Sequence, residues 1–355
     1  MIGIIGLLQR KMHLGVITLA MTITACGDAI VDQKGNTKSQ AIPATLTSVP
    51  VTVEHSHAAI QLQASDRLQY GGFSALWLSK DCSQMISFSD YSQVRFFSLD
   101  GQVKRSGWIQ ANLSFDANDK LTGFNLVDQG QLKDADGDLL SGAAESLAWD
   151  GSGFLVSFDD KGDLYRYAGV QPQGALFNQL PEISIKQERL GKDNAGLESI
   201  TELPDGRVLA LWEKNDKQKP VTHGQLIQPD GQSLQFSYSS DANPGAATTL
   251  PDDSFVIAER KYKGPEQGVQ LRLTRFLPSD IQADKLLTPQ VLLDHTSISY
   301  DNFEGIANCQ RNGKQWLFVL SDDNGDWPES WVEGKGRQRQ KTLLVQFDLT
   351  QLMAQ

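Results

Sequence analysis

The sequence lacks the motifs of several common hydrolase classes. It has no Gly-x-Ser-x-Gly pentapeptide, which excludes the nucleophile elbow of α/β-hydrolases. It has no His-Glu-x-x-His motif and only 3 cysteines, none paired at zinc-ligand spacing, which excludes the usual zinc sites. No glycine-rich phosphate loop follows a strand and opens a helix. Any catalytic chemistry must therefore use other residues.

Positive charge is also scarce. The chain has 43 Asp and Glu residues against 32 Lys and Arg residues, which leaves a formal net charge of −11 at pH 7. A protein with this charge repels nucleic acid and anionic lipid headgroups. We therefore expect no nucleic-acid partner. A small anionic ester would bind only where a metal ion or arginine inverts the local field.

Residues 1–25 have the features of a secretory signal peptide. Arg10 and Lys11 precede a short apolar run at 14–21, and small residues lead up to Cys26. The run is too short for a stable membrane span. The end of this segment resembles a bacterial lipoprotein signal, which makes Cys26 the candidate lipidation site; an ordinary signal peptide with a chance cysteine is the alternative. Because Gly27 rather than Asp follows Cys26, we expect a lipid anchor in the outer membrane, facing the periplasm or the cell surface.

The remaining chain divides into a short linker and one large domain. Residues 26–50 are polar and show no periodicity, which predicts a flexible tether. Residues 51–355 are enough for one all-β domain. We expect this domain to be a monomer.

A short sequence phrase recurs five times. Each copy has a tight turn with small residues, a brief apolar strand, a second turn and a second apolar strand. The anchors of the five copies, 49 to 71 residues apart, are Ser74, Glu145, Glu198, Ala247 and Glu304. Even spacing of short strands at such a period predicts an all-β fold, a single β-propeller.

The number of blades follows less directly from the repeat. Six blades are favoured, because the gap between the first two anchors is longer than one blade needs, and five are the alternative. A strand near residues 52–63 is expected to complete the last blade and close the ring.

Carboxylates are concentrated where strands begin or end. One set should begin the inner strands and another should end the second strands, and antiparallel neighbours bring both sets to one mouth of the channel. Crowded carboxylates repel each other unless a cation intervenes, and oxygen ligands suit Ca²⁺. The candidate calcium ligands are Glu145, Glu198, Glu259, Glu304, Asp322 and Asp323. The alternative is that these acids bind backbone amides of the next blade.

Two cysteines remain if Cys26 carries lipid. Cys82 and Cys309 lie in equivalent turns of the first and last repeats, which are neighbours in a closed ring. An even pair in an oxidising compartment favours a disulfide, and two unpaired buried thiols are the alternative.

Several phrases together resemble one known family. The segments 194–209, 250–262 and 302–324, with Ala144–Ala148 and Tyr70–Leu76 in the same order, are similar to the phytase-like propellers known as "esterase-like activity of phytase". The resemblance covers about residues 66–350. Ser74 and Ala247 depart from the family's pattern, because they are not acids.

The resemblance implies a surface or secreted propeller that binds calcium and hydrolyses phosphate or carboxylate esters. In that reaction Glu198, Glu304 and Arg260 are the candidate catalytic residues, with Ca²⁺ polarising the ester and Arg260 pairing with an oxyanion. A non-catalytic propeller that binds a partner in the cell envelope is the alternative.

Overall fold

The computed structural model describes most of the chain after residue 44. The described residues are 45–64, 71–90, 97–98, 101–102, 106–133, 142–149, 151, 153–158, 164–168, 179–183, 197–212, 220–283, 285–323 and 340–354. The expected signal peptide, Cys26 and nearly all of the expected tether lie outside these residues. The first strand, β1, begins at Leu46, so the last residues of the stretch expected as tether belong to a sheet.

The same turn recurs between the first two strands of different repeats. In one copy the amide of Gly206 donates to the carbonyl of Leu203, and in another the amide of Asp253 donates to the carbonyl of Leu250. Gly206 has φ +84° and Asp253 has φ +63°. This left-handed conformation favours glycine and is tolerated by aspartate, so the Asp-for-Gly exchange preserves the turn.

The described strands form five sheets, each of four or five strands. From the inner to the outer strand, they are blade one, β3 (Phe73–Leu78), β4 (Gln84–Ser89), β7 (Gly107–Phe115) and β8 (Leu121–Gln131); blade two, β9 (Ala144–Trp149), β10 (Gly153–Phe158), β11 (Leu164–Ala168) and β12 (Gln179–Ile183); blade three, β13 (Leu197–Glu202), β14 (Val208–Trp212), β15 (Val221–Ile227), β16 (Ser233–Ser239) and β20 (Leu286–Leu287); blade four, β17 (Asn243–Thr249), β18 (Phe255–Tyr262), β19 (Val269–Phe276) and β21 (Gln290–Ser297); and blade five, β22 (Asn302–Arg311), β23 (Lys314–Asp322), β24 (Thr342–Asp348), β2 (Ala58–Ala64) and β1 (Leu46–Val51). All pairings within the blades are antiparallel except β16 with β20.

The inner strands close into a ring. Strand β3 contacts β9, β9 contacts β13, β13 contacts β17, β17 contacts β22, and β22 returns to β3. The all-β propeller expected from the repeats is confirmed, with five blades rather than the favoured six. The long first interval holds the long strands β7 and β8, which complete blade one, and a small hairpin, β5 (Phe97–Ser98) with β6 (Gly101–Gln102).

Helical structure is minor in the described part of the chain. A 3-10 helix spans Pro278–Asp280, and the short helix α1 spans Leu349–Met353. Within the described residues, no helix is long and apolar enough to cross a membrane.

The hydrophobic core is divided among the blade interfaces. Five buried clusters are present, and each joins side chains of two neighbouring blades. The interface of blades one and two, for example, buries Phe88 against Phe154, with ring centroids 6.0 Å apart. Each sheet is therefore covered on both faces only when the ring is complete.

Blade five contains both ends of the described chain. The N-terminal strand β2 pairs antiparallel with the C-terminal strand β24, from Ala58 opposite Gln346 to Leu62 opposite Thr342. The expected closing strand is therefore present. The buried side chain of Gln346 also reaches blade one, where it accepts from the amide of Leu121 at 2.8 Å and donates to the carbonyl of Asp119 at 2.8 Å.

A disulfide crosses the interface between blades five and one. Cys82 lies in the turn between β3 and β4, and it is bonded to Cys309 of β22, 227 residues away in sequence. Next to it, the amide of Gln310 donates to the carbonyl of Lys80 at 2.8 Å. The first and last repeats are thus joined covalently as well as by packing.

We predict that the double substitution Cys82→Ser with Cys309→Ser lowers the free energy of unfolding by about 2–5 kcal/mol, because the unfolded chain is no longer cross-linked. Chemical denaturation with and without reductant measures this. As a control, reductant should not change the stability of the double variant. Labelling of both cysteines by a thiol reagent in unfolded, unreduced protein would contradict the prediction.

Candidate functional site

One irregular position recurs near the start of every inner strand. In each blade the pairing of the inner strand with its neighbour skips one residue, as at a β-bulge. The five skipped residues are Ser74, Glu145, Glu198, Gly245 and Glu304. The bulge confirms four of the repeat anchors as equivalent. In blade four the equivalent residue is Gly245 rather than Ala247, so that anchor is wrong.

Arg260 joins two of the bulge carboxylates. It lies near the end of β18 in blade four, and its Nη2 is 2.6 Å from Oε1 of Glu304 and 3.8 Å from Oε2 of Glu198. Glu198 belongs to blade three and Glu304 to blade five, so the two carboxylates converge on the arginine of the blade between them. The structure therefore brings together the three residues predicted as catalytic.

The three side chains are shielded from solvent. The Arg260 side chain is 15% exposed, and those of Glu198 and Glu304 are 9% exposed. The Nδ2 of Asn302 also donates to Oε1 of Glu304 at 2.7 Å, which holds this carboxylate in place. Ion pairs with so little solvent contact are screened far less than surface pairs.

Gly245 provides the space for Arg260. A Cβ atom at this position would overlap the carbonyl oxygen of Phe303 and would lie 3.3 Å from Nε of Arg260. Sequence analysis did not identify Gly245. A glycine inside a strand marks a bulge or a close backbone approach, and that was the available signal.

Glu259 lies away from the channel carboxylates. It follows the alternation of β18, so its side chain points to the opposite face from Arg260. It is fully buried, and its Oε1 accepts a hydrogen bond of 3.1 Å from the hydroxyl of Tyr238 in blade three. Burial raises the pKa of Glu259 to about 7. The structure does not place this predicted calcium ligand with Glu198 and Glu304.

Asp323 connects blade five to blade one. Its Oδ1 accepts from the amide of Gly72 at 3.0 Å, immediately before the inner strand of blade one. This contact matches the alternative role for the strand-end acids, which is to bind backbone amides of the next blade. Asp322 is buried beside it, across the β22–β23 pair from Asn302.

Asp301 is a buried acid that sequence analysis missed. It accepts hydrogen bonds from the amides of Asn302 at 2.9 Å and Lys341 at 2.7 Å. Burial, and to a lesser extent the charge of Asp323, raises the pKa of Asp301 to about 6. No repeat pattern marks this residue, because it precedes the inner strand.

The remaining predicted ligand, Glu145, occupies the bulge of blade two and is partly exposed. Among the described residues, no group of three or more His, Cys, Asp or Glu side chains could hold a metal ion. The guanidinium of Arg260 already lies between Glu198 and Glu304, and its charge would repel Ca²⁺. The described arrangement therefore does not fit a calcium ion shared by these two carboxylates.

The fold and the bulge carboxylates define a β-propeller with a polar, charged channel mouth. The family model "Phytase-like: Esterase-like activity of phytase" matches residues 68–325 of this chain. The chain therefore belongs to the phytase-like family. Among curated proteins, none matches the chain significantly.

Solved structures of similar shape come from varied proteins. The Malassezia sympodialis allergen Mala s 1 is 12% identical, with a TM-score of 0.43, and the match covers 84% of this chain and 91% of that one. The Myxococcus xanthus glutaminyl cyclase is 12% identical, with a TM-score of 0.39 and coverage of 84% and 96%. The Trypanosoma rangeli sialidase is 10% identical, with a TM-score of 0.41 and coverage of 92% and 58%. At these values the likenesses carry no functional inference.

We predict that Glu259→Gln changes the pH dependence of stability. Because burial raises the pKa of Glu259 to about 7, the folded protein holds this proton more tightly than the unfolded chain, whose carboxyl titrates near 4.5. The stability of the native protein should therefore fall as the pH rises through this window. The variant should gain stability relative to the native protein between pH 5 and pH 8, by roughly 3 kcal/mol at most.

Thermal unfolding of both proteins at pH 5 and pH 8 measures this difference. Glu266→Gln, at an exposed turn, is the matched control and should show the same offset from the native protein at both pH values. An equal offset for Glu259→Gln at both values would contradict the prediction.

Proposed function

We propose that this protein hydrolyses small phosphate or carboxylate esters at the channel mouth around Arg260, Glu198 and Glu304. The observation that supports this is one guanidinium held between two carboxylates from different blades, at distances of 2.6 and 3.8 Å. An arginine fixed in this way is suited to binding a phosphoryl or carbonyl oxygen. Carboxylates beside it supply a base.

The two carboxylates have different roles in this proposal. Glu304 accepts from both Arg260 and Asn302, so it fixes the direction of the guanidinium. The 3.8 Å from Oε2 of Glu198 to the same guanidinium nitrogen exceeds a hydrogen bond, and we assign Glu198 as the general base. Glu198 takes a proton from a water molecule as the water attacks the ester, and it returns that proton to the leaving alcohol oxygen. Arg260 stabilises the negative charge that develops on the attacked group.

In this proposal the cation that polarises the ester is Arg260, so the reaction proceeds without the calcium ion expected from the sequence. We also propose that the propeller acts outside the cytoplasm, anchored through Cys26. The disulfide between Cys82 and Cys309 supports this, because such bonds persist in oxidising compartments.

A non-catalytic propeller that binds a partner in the cell envelope is the second candidate. The contact of Asp323 with the amide of Gly72 favours it, because at least one acid at this mouth joins blades. In that case the channel residues contribute to stability rather than to turnover.

We predict that Glu198→Gln lowers kcat for ester hydrolysis by about 100-fold or more, because the general base is lost. The assay uses purified full-length protein with p-nitrophenyl phosphate, p-nitrophenyl acetate and inositol hexakisphosphate, each with and without EDTA. Glu266→Gln is the control and should retain full activity. Thermal unfolding of each variant separates lost chemistry from lost folding.

Two outcomes would contradict this assignment. If Glu198→Gln retains kcat, Glu198 is not the base. If no ester is turned over while Glu198→Gln and Glu304→Gln both lower the melting temperature, the carboxylates are structural and the binding propeller is favoured. Loss of activity in EDTA would restore the calcium-dependent reaction.

A further inference from the structure

Two poorly exposed carboxylates on adjacent faces of a channel require a counter-charge. Glu198 and Glu304 come from blades three and five and point towards the blade between them. Removing ionised carboxylates from water is costly unless each is paired. Some cation must therefore occupy the position between them when both are ionised.

The cation in that position is part of the chain. Nη2 of Arg260 is 2.6 Å from Oε1 of Glu304, well within ion-pair distance, and 3.8 Å from Oε2 of Glu198. A guanidinium stays charged over the whole physiological pH range. Unlike a bound metal ion, it is not removed by dilution or by a chelator.

Blade four departs from the other blades in two linked ways. At the bulge position blades two, three and five carry Glu145, Glu198 and Glu304, whereas blade four carries Gly245. The same blade supplies Arg260, whose Nε would lie 3.3 Å from a Cβ atom at position 245. The blade thus lacks a side chain at the bulge and places a guanidinium beside the empty space.

We propose that Arg260 is a built-in cation that takes the place of a divalent metal ion in the channel, and that Gly245 is the residue that admits it. The native channel then binds no Ca²⁺ at these carboxylates. Without the guanidinium, the oxygens of Glu198 and Glu304 face a vacant position of the kind that Ca²⁺ occupies. This inference concerns the charge balance of the channel and holds whether or not the channel hydrolyses esters.

The experiment measures metal binding rather than activity. Full-length protein is treated with chelator, dialysed and titrated with Ca²⁺ by calorimetry, and its thermal unfolding is followed in EDTA and in 10 mM Ca²⁺ (about tenfold above the weakest dissociation constants of extracellular calcium modules). Native protein should bind no Ca²⁺ in the channel and should unfold at the same temperature in both solutions. Arg260→Gln should bind Ca²⁺ with a dissociation constant of about 10⁻⁴–10⁻³ M and should be stabilised by it.

Two variants serve as controls. Arg275→Gln removes the same charge from an ion pair of 2.6 Å with Asp252, outside the channel, and should gain no binding. Arg260→Gln combined with Glu304→Gln should lose the binding that the single variant gains.

The result that would overturn the proposal is Ca²⁺ binding by native protein that Glu198→Gln or Glu304→Gln abolishes. Folded Arg260→Gln that gains no Ca²⁺ binding would also overturn it. If Arg260→Gln does not fold in EDTA, its recovery by Ca²⁺ supports the proposal and failure to recover counts against it. The native arm stays decisive in every case.

Discussion

The structure depends on the pairing of strand β2 with strand β24. This pairing joins the two ends of the described chain in one sheet, and that sheet is the neighbour of both blade four and blade one. Each buried cluster lies between two blades, so an open ring would leave two sheet faces exposed to water. Gln346 and the disulfide of Cys82 with Cys309 strengthen the same closure.

The candidate site follows from the closed ring. A bulge at one level of every inner strand presents five side chains around a common channel, and the blades then differ only in which residue they place there. Three blades place glutamate and one places Ser74, which donates a hydrogen bond to the carbonyl of Ala144 in blade two. The exchange of a carboxylate for Gly245 and Arg260 in blade four turns a repeated structural position into an asymmetric charged site.

The acids of this propeller show how strongly environment decides the role of a carboxylate. Glu304 is ion-paired with Arg260 and oriented by Asn302. Glu259, the residue next to Arg260 in sequence, is buried against Tyr238, and its pKa rises to about 7. Neighbouring residues of one strand thus belong to different interfaces, because side chains alternate between the two faces of a sheet.

The sequence by itself determined the local features of this protein. Alternating apolar strands, the Asp-Gly type turns and their period predicted the propeller, the closing strand and the family, because these depend on short-range patterns. The blade count and the membership of the site were decided by the tertiary structure. Strand order determined that β7 and β8 complete blade one, and a one-residue bulge shifted the equivalent position from Ala247 to Gly245. A shift of one residue moves a side chain to the other face of a strand, and only long-range pairing reveals it.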